Sequence, residues 1–144
     1  VMRRALGFKI GSGPSQFAAV AVEGFLRSNL DSHRDNFNPL LQKKCNAMVD
    51  SLAANFGGGD VNWSVPEGGC YVWLTMPVEA DISAIRDEVF DQGVGYVAGT
   101  NFEADASGRI GHNCARLCFA FESPQKNTDG IALLAKLFEQ HGVM

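Results

Sequence analysis

After a loop marked by "GFKIGSGPSQ", apolar positions recur at helical spacing from Phe17 to Phe56, then switch repeatedly between a two-residue and a helical period. Phe17, Val20, Ala21 and Phe25 predict a first helix running to about Ser28, with Pro14 in its first turn and Gly13 or Ser12 as its cap. A second, longer helix begins within "NLDSHRDNFNPLL", where Asp31 or Ser32 can cap it. Phe37, Leu41, Cys45, Met48, Leu52 and Phe56 then keep one face for about five turns. Pro39 interrupts this run: either it kinks the helix, or Asn38-Pro39 is a second start. The glycines at 57–59 end it.

The stretch "VNWSVPEGGCYVWLTMP" reads as strand, turn, strand. Cys70, Val72, Leu74 and Met76 take one face, and Tyr71, Trp73 and Thr75 take the other. Asp81 is placed to cap a short helix carrying Ile82, Ile85 and Val89, which Gly93 terminates. "VGYVAG" predicts a short strand, residues 101–113 a polar loop, and residues 114–121 a further strand. Ser123-Pro124 opens a last helix with Ile131, Leu134 and Phe138 facing inward. The order is helix, helix, strand, strand, helix, strand, strand, helix. It describes an α+β fold: a small, mainly antiparallel sheet covered by helices and preceded by two helices.

One residue does not fit its pattern. In "NCARLCFAF" Ala115, Leu117, Phe119 and Phe121 share an apolar face that points to a core, while Arg116 shares the other face with Cys114, Cys118 and Ala120. A guanidinium there, flanked along the strand by small side chains, can present its fork to a carboxylate. It can equally be an arginine on an exposed face or one paired with an internal Asp or Glu. The lysines at 9, 43, 44, 126 and 136 read as solvated charges, and "GFKIGSG" lacks the order of a phosphate-binding loop. His33, His112 and His141 form no recognisable triad. From its residues alone the chain has no complete catalytic set.

Composition narrows the classes. A chain of 144 residues with 46% hydrophobic and 19% charged positions suits one compact domain. The net charge of -4, with no basic cluster above two residues, argues against nucleic acid. No apolar run approaches the roughly 20 residues of a membrane span. "VMRRALGFKI" is too short and interrupted for a secretory signal, and a first residue of Val suggests processing or a trimmed chain. Cys45, Cys70, Cys114 and Cys118 make no CxxC pair, so a zinc ribbon is not expected and no metal is assigned. They read as small buried residues in a reducing compartment, with the cytoplasm as the expected location.

"VPEGGCYVWLTMP", "DEVFDQGVGYVAGTNF" and "NCARLCFAFESPQ", in that order and spacing, resemble the closing third of fold-type-I aminotransferases that use pyridoxal phosphate. The matching positions are Pro66, Gly68, Gly69, Tyr71, Trp73, Gly93, Val94, Gly99, Phe102, Arg116, Phe119 and Pro124. The segment "GSGPSQFAA" resembles the part of the family just before its inter-domain helix. The resemblance implies that residues 1–30 are a connecting loop and helix, and that 31–144 are the C-terminal small domain with the inter-domain helix. It implies that Arg116 binds the α-carboxylate of an amino-acid or 2-oxo-acid substrate. It also implies transamination, or another reaction of the same cofactor such as lyase chemistry, and a homodimer when full-length. Gly68-Gly69 is expected to make a tight turn rather than a cofactor contact.

No residue here matches the family's Schiff-base lysine, which lies upstream, and Arg3 and Arg4 lack the context of its phosphate-binding arginine. Ala98 stands where the family usually has Pro, and Arg109 lies in the polar loop with no role assigned. The resemblance therefore implies a fragment missing its N-terminal large domain and inactive alone. The alternative from a different class is a stand-alone regulatory module that binds a small carboxylate through Arg116.

Overall fold

The computed structural model describes residues 15–103 and 110–144. Helix α1 (Gln16–Phe56) is followed by β1 (Asn62–Trp63), β2 (Tyr71–Thr75), α2 (Arg86–Asp91) and β3 (Val97–Ala98). A 3-10 turn (Gly99–Phe102), β4 (Cys114–Cys118) and α3 (Pro124–Gln140) complete the described chain. A boundary between Leu40 and Leu41 divides it into two compact units. Pro14 and its cap, Lys9, Arg3, Arg4 and Arg109 lie outside the described residues. Among the described residues no helix is long and apolar enough to cross a membrane.

The two expected N-terminal helices are one. Asp31 and Ser32 lie inside α1, and so does Pro39. The polar residues that suggested a boundary bond back to the preceding turn instead: Ser32 Oγ donates to the Asn29 carbonyl at 3.1 Å, and Asn36 Nδ2 to the Ser32 carbonyl at 2.7 Å. Short polar side chains serve both roles, so their presence does not decide between cap and interior. Pro39 removes only the bond that the Asp35 carbonyl would have accepted. Within the first unit, Phe17, Val20 and Phe25 are exposed, and His33 lies between the rings of Phe25 and Phe37 at 5.6 and 5.3 Å.

The second unit is built on a four-stranded antiparallel sheet of order β1-β2-β4-β3, with helices, as the α+β pattern implies. The helix ends at Phe56, where Gly57 leaves no room for a Cβ beside the Ala53 carbonyl and Gly58 follows at φ 144°, a conformation that suits glycine. Cys45, Met48, Leu52 and Phe56 of α1 and Ile131, Leu134 and Phe138 of α3 pack with Val72, Leu74, Met76, Ala115, Leu117 and Phe119 of the sheet. Ser123 caps α3 by accepting from Lys126 N at 3.2 Å. Register follows the two-residue period: Val72 pairs with Leu117 and Leu74 with Ala115 on the covered face.

Several expectations change. Strand β4 stops at Cys118, so Phe121 leaves the core face and is 85% exposed. Cys70 and Cys118 are exposed and only Cys45 is buried, because Cys70 precedes β2 and Cys118 sits on the uncovered face. Asp81 Oδ1 accepts from Ala84 N at 3.1 Å and so caps a turn, while α2 itself begins at Arg86. Lys44 is not a solvated charge: its Nζ donates to the Ala120 carbonyl at 2.7 Å, tying α1 to the end of β4. Buried Asn127 of α3 reinforces that tie, donating through Nδ2 to the Phe119 and Lys44 carbonyls at 2.9 and 3.3 Å.

Candidate functional site

The uncovered face of the sheet carries Cys114, Arg116 and Cys118 of β4, with Trp73 opposite Arg116 on β2 and Val97 opposite it on β3. Two neighbouring hydrogen bonds fix Trp73, whose N–H donates to Ser64 Oγ at 2.9 Å and whose carbonyl accepts from Ser64 N at 2.9 Å. The entrance to β4 is fastened likewise. Asn113 Nδ2 donates to the Met76 carbonyl at 2.6 Å, and Met76 N to the Asn113 carbonyl at 2.8 Å.

Arg116 is half-buried, and its guanidinium is surrounded by rings rather than acids. Its Cζ lies 4.1 Å from the centroid of the Tyr71 ring and 5.2 Å from that of Phe102. Phe102 in turn meets Trp73 edge-on at 5.5 Å. Arg116 Nε is buried without a hydrogen-bond partner, and among the described residues no carboxylate pairs with this arginine. The internal Asp or Glu left open by the sequence is absent from that set. The expected small surroundings hold along β4, at Cys114 and Cys118, but not across strands, where the neighbours are large and aromatic.

Phe102 reaches this face from the turn after β3, which a backbone contact holds in place. A Cβ at Gly99 would overlap the Gly111 carbonyl oxygen and lie 2.7 Å from Cys114 Cβ. Gly111 has φ +79°, and a Cβ there would lie 2.9 Å from the Gly99 carbonyl carbon. Two residues without side chains are needed for this approach. Beside Arg116 lies a shallow cleft of about 250 Å³ that includes Arg86, Phe90, Val97 and Cys118. Arg86 is already paired with Asp87 at 2.7 Å, so the uncommitted charge there is that of Arg116.

Tyr71, Trp73 and Phe102 were recognisable as matching positions, but their convergence on Arg116 was not. The signal available was the alternation that places Tyr71 and Trp73 on the uncovered face of β2. Two of the described lysines are engaged elsewhere. Lys44 is bound to the Ala120 carbonyl, Lys126 pairs with Glu122 at 3.0 Å, and both belong to helices covering the other face. No cluster of three or more His, Cys, Asp or Glu able to hold a metal occurs among the described residues.

No protein-family model matches the chain. An uncharacterized aminotransferase of Saccharolobus solfataricus is 27% identical over 121 residues, which are 84% of this chain and 29% of that protein. Aromatic-amino-acid aminotransferase 1 of Thermococcus litoralis is 32% identical over 111 residues, 77% of this chain and 26% of that protein. Among solved structures, the kynurenine aminotransferase of Pyrococcus horikoshii, in complex with PMP, matches with a TM-score of 0.70 and 28% identity over 79% of this chain and 27% of that one. The chain spans little more than a quarter of the relatives it matches, and it resembles the C-terminal portion of fold-type-I aminotransferases.

Proposed function

We propose that this chain is the carboxylate-holding part of a pyridoxal-phosphate-dependent aminotransferase, in which Arg116 binds the α-carboxylate of an amino acid or 2-oxo acid. The observation that carries the reading is the state of Arg116: its guanidinium lies beside two aromatic rings, with no acid partner among the described residues and with an unsatisfied buried Nε. A buried donor without an acceptor costs about 1–3 kcal/mol, a cost that a bound carboxylate would relieve. A carboxylate bound by the fork of Arg116 is held by charge and by direction, so its α-carbon is oriented for reaction.

Lys44 and Lys126 are committed elsewhere, to the Ala120 carbonyl and to Glu122, and this reading puts the Schiff-base lysine upstream of this chain. The longer aminotransferases that the chain resembles support pyridoxal phosphate as the cofactor of the whole enzyme, where it supplies the electron sink for amino-group transfer. In this reading residues 1–30 are a remnant of the connection to a large domain upstream, and 31–144 are the small domain with the inter-domain helix. The large domain brings the lysine, the full-length protein is a homodimer, and the chain alone is inactive. Four unbridged cysteines accord with a cytoplasmic setting.

Arg116→Ala in the full-length protein tests the reading. Substrate binding and turnover should be lost while the cofactor is retained. Unchanged kinetics would remove the role of Arg116.

A further inference from the structure

We infer that Tyr71 is a positioning residue that holds the Arg116 guanidinium without neutralising it, so that its charge stays available to a carboxylate; this rests on the carboxylate reading of Arg116. An Asp or Glu that pairs with an arginine occupies its N–H fork and cancels its charge. Here the fork has no acid partner among the described residues, yet the guanidinium has a defined place, with Cζ 4.1 Å from the Tyr71 centroid. An aromatic face attracts a cation through its quadrupole and carries no net charge of its own.

The register explains why Tyr71 is the ring that does this. Trp73 lies directly across from Arg116, and Tyr71 pairs with Cys118 one position further on the same face. Arg116 leans along that diagonal onto Tyr71, and Phe102, braced by Trp73 at 5.5 Å, lies 5.2 Å from its Cζ. The ring carries the contact. No hydrogen bond of the Tyr71 hydroxyl to the described residues is found, so Tyr71→Phe should preserve the function and Tyr71→Leu should not.

The test uses the 144-residue chain labelled with ¹³C,¹⁵N-arginine, its Arg116 signals assigned by their loss in Arg116→Lys. In the wild-type chain the Arg116 Cδ protons should be shifted upfield by the Tyr71 ring current. Tyr71→Phe should keep that shift and Tyr71→Leu should abolish it. Titration with 2-oxoglutarate, followed on the same signals, should give an unchanged Kd for Tyr71→Phe and a Kd raised about 2- to 30-fold for Tyr71→Leu, the range of one cation–π contact. Absence of the upfield shift in the wild-type chain overturns the inference, even if Tyr71→Leu fails to fold. So does a Tyr71→Leu chain that keeps the shift or the wild-type Kd. If no variant responds to 2-oxoglutarate while the ring-current pattern holds, the carboxylate reading fails and the Tyr71 contact stands.

Discussion

Replacing Gly99 by Ala tests how the candidate site is held together. The added methyl group would overlap the Gly111 carbonyl oxygen and come within 2.7 Å of Cys114 Cβ and 3.1 Å of the Cys114 carbonyl oxygen. Two of these three are backbone atoms, with no rotamer to escape into. The Gly111 carbonyl is also the acceptor for Cys114 N at 3.0 Å, so moving it breaks the turn that starts β4. Overpacking of this kind costs about 1–3 kcal/mol. For a unit of about a hundred residues, that corresponds to a fall in Tm of about 5–20 °C. Relief by displacing the 3-10 turn would carry Phe102 away from Trp73, changing the near-ultraviolet circular dichroism and tryptophan fluorescence. Gly130→Ala is the control, because a Cβ at that helical position meets nothing within 4 Å. It should stabilise by up to about 1 kcal/mol through helix propensity. A Gly99→Ala chain that melts with the wild type and keeps its near-ultraviolet spectrum would refute the close-approach account.

Two further outcomes follow from burial. Burial pushes the Tyr96 phenol well above its usual 10.0, and its O–H donates to the Ile82 carbonyl at 2.5 Å. The folded chain keeps this phenol neutral while the unfolded chain ionises it. Stability should therefore be intact below about pH 10 and fall as pH rises beyond it. Tyr96→Phe should flatten that fall in urea melts compared across pH 9–11, and an unchanged slope would contradict the burial argument. Among the thiols, Cys70 and Cys118 are exposed, whereas Cys45 is buried and burial raises its pKa. Iodoacetamide followed by peptide mapping should label Cys70 and Cys118 first and Cys45 last; early labelling of Cys45 would mean that the α1 packing opens readily.

The fold was legible where a single segment carries its own signal. The two-residue period of "CARLC" and "YVWLT" separates the faces of β4 and β2 without knowledge of their partners, and Ser123-Pro124 starts α3 by its own capping chemistry. Local signals failed where one residue type serves two ends. Asp31, Ser32 and Pro39 mark helix boundaries in most settings, yet here they lie inside α1. The site was legible as one residue, Arg116, and not as an assembly. Its surroundings depend on the Trp73–Arg116 register and on the Gly99–Gly111 approach, contacts between segments far apart in sequence that no local period encodes.

The division of β4 into a packing face and an open face gives a last prediction, one that separates a functional arginine from a structural one. Leu117 is 3% exposed and packs with Val72 across the sheet; truncating it to Ala should cost about 2–5 kcal/mol by lost transfer energy and a residual cavity. Arg116→Met keeps the aliphatic stem of its neighbour and removes only the guanidinium. That change loses a cation–π attraction of about 0.5–2 kcal/mol. It also relieves the buried, unpartnered Nε, whose desolvation costs about 1–3 kcal/mol. The two terms oppose each other, so Arg116→Met should be at most about 1 kcal/mol less stable than the wild type in urea denaturation, and can be more stable. A side chain whose removal leaves stability unchanged is retained for something other than the fold. If Arg116→Met instead destabilises the chain as much as Leu117→Ala, the arginine is part of the packing. The case for a waiting carboxylate site would then lose its physical basis.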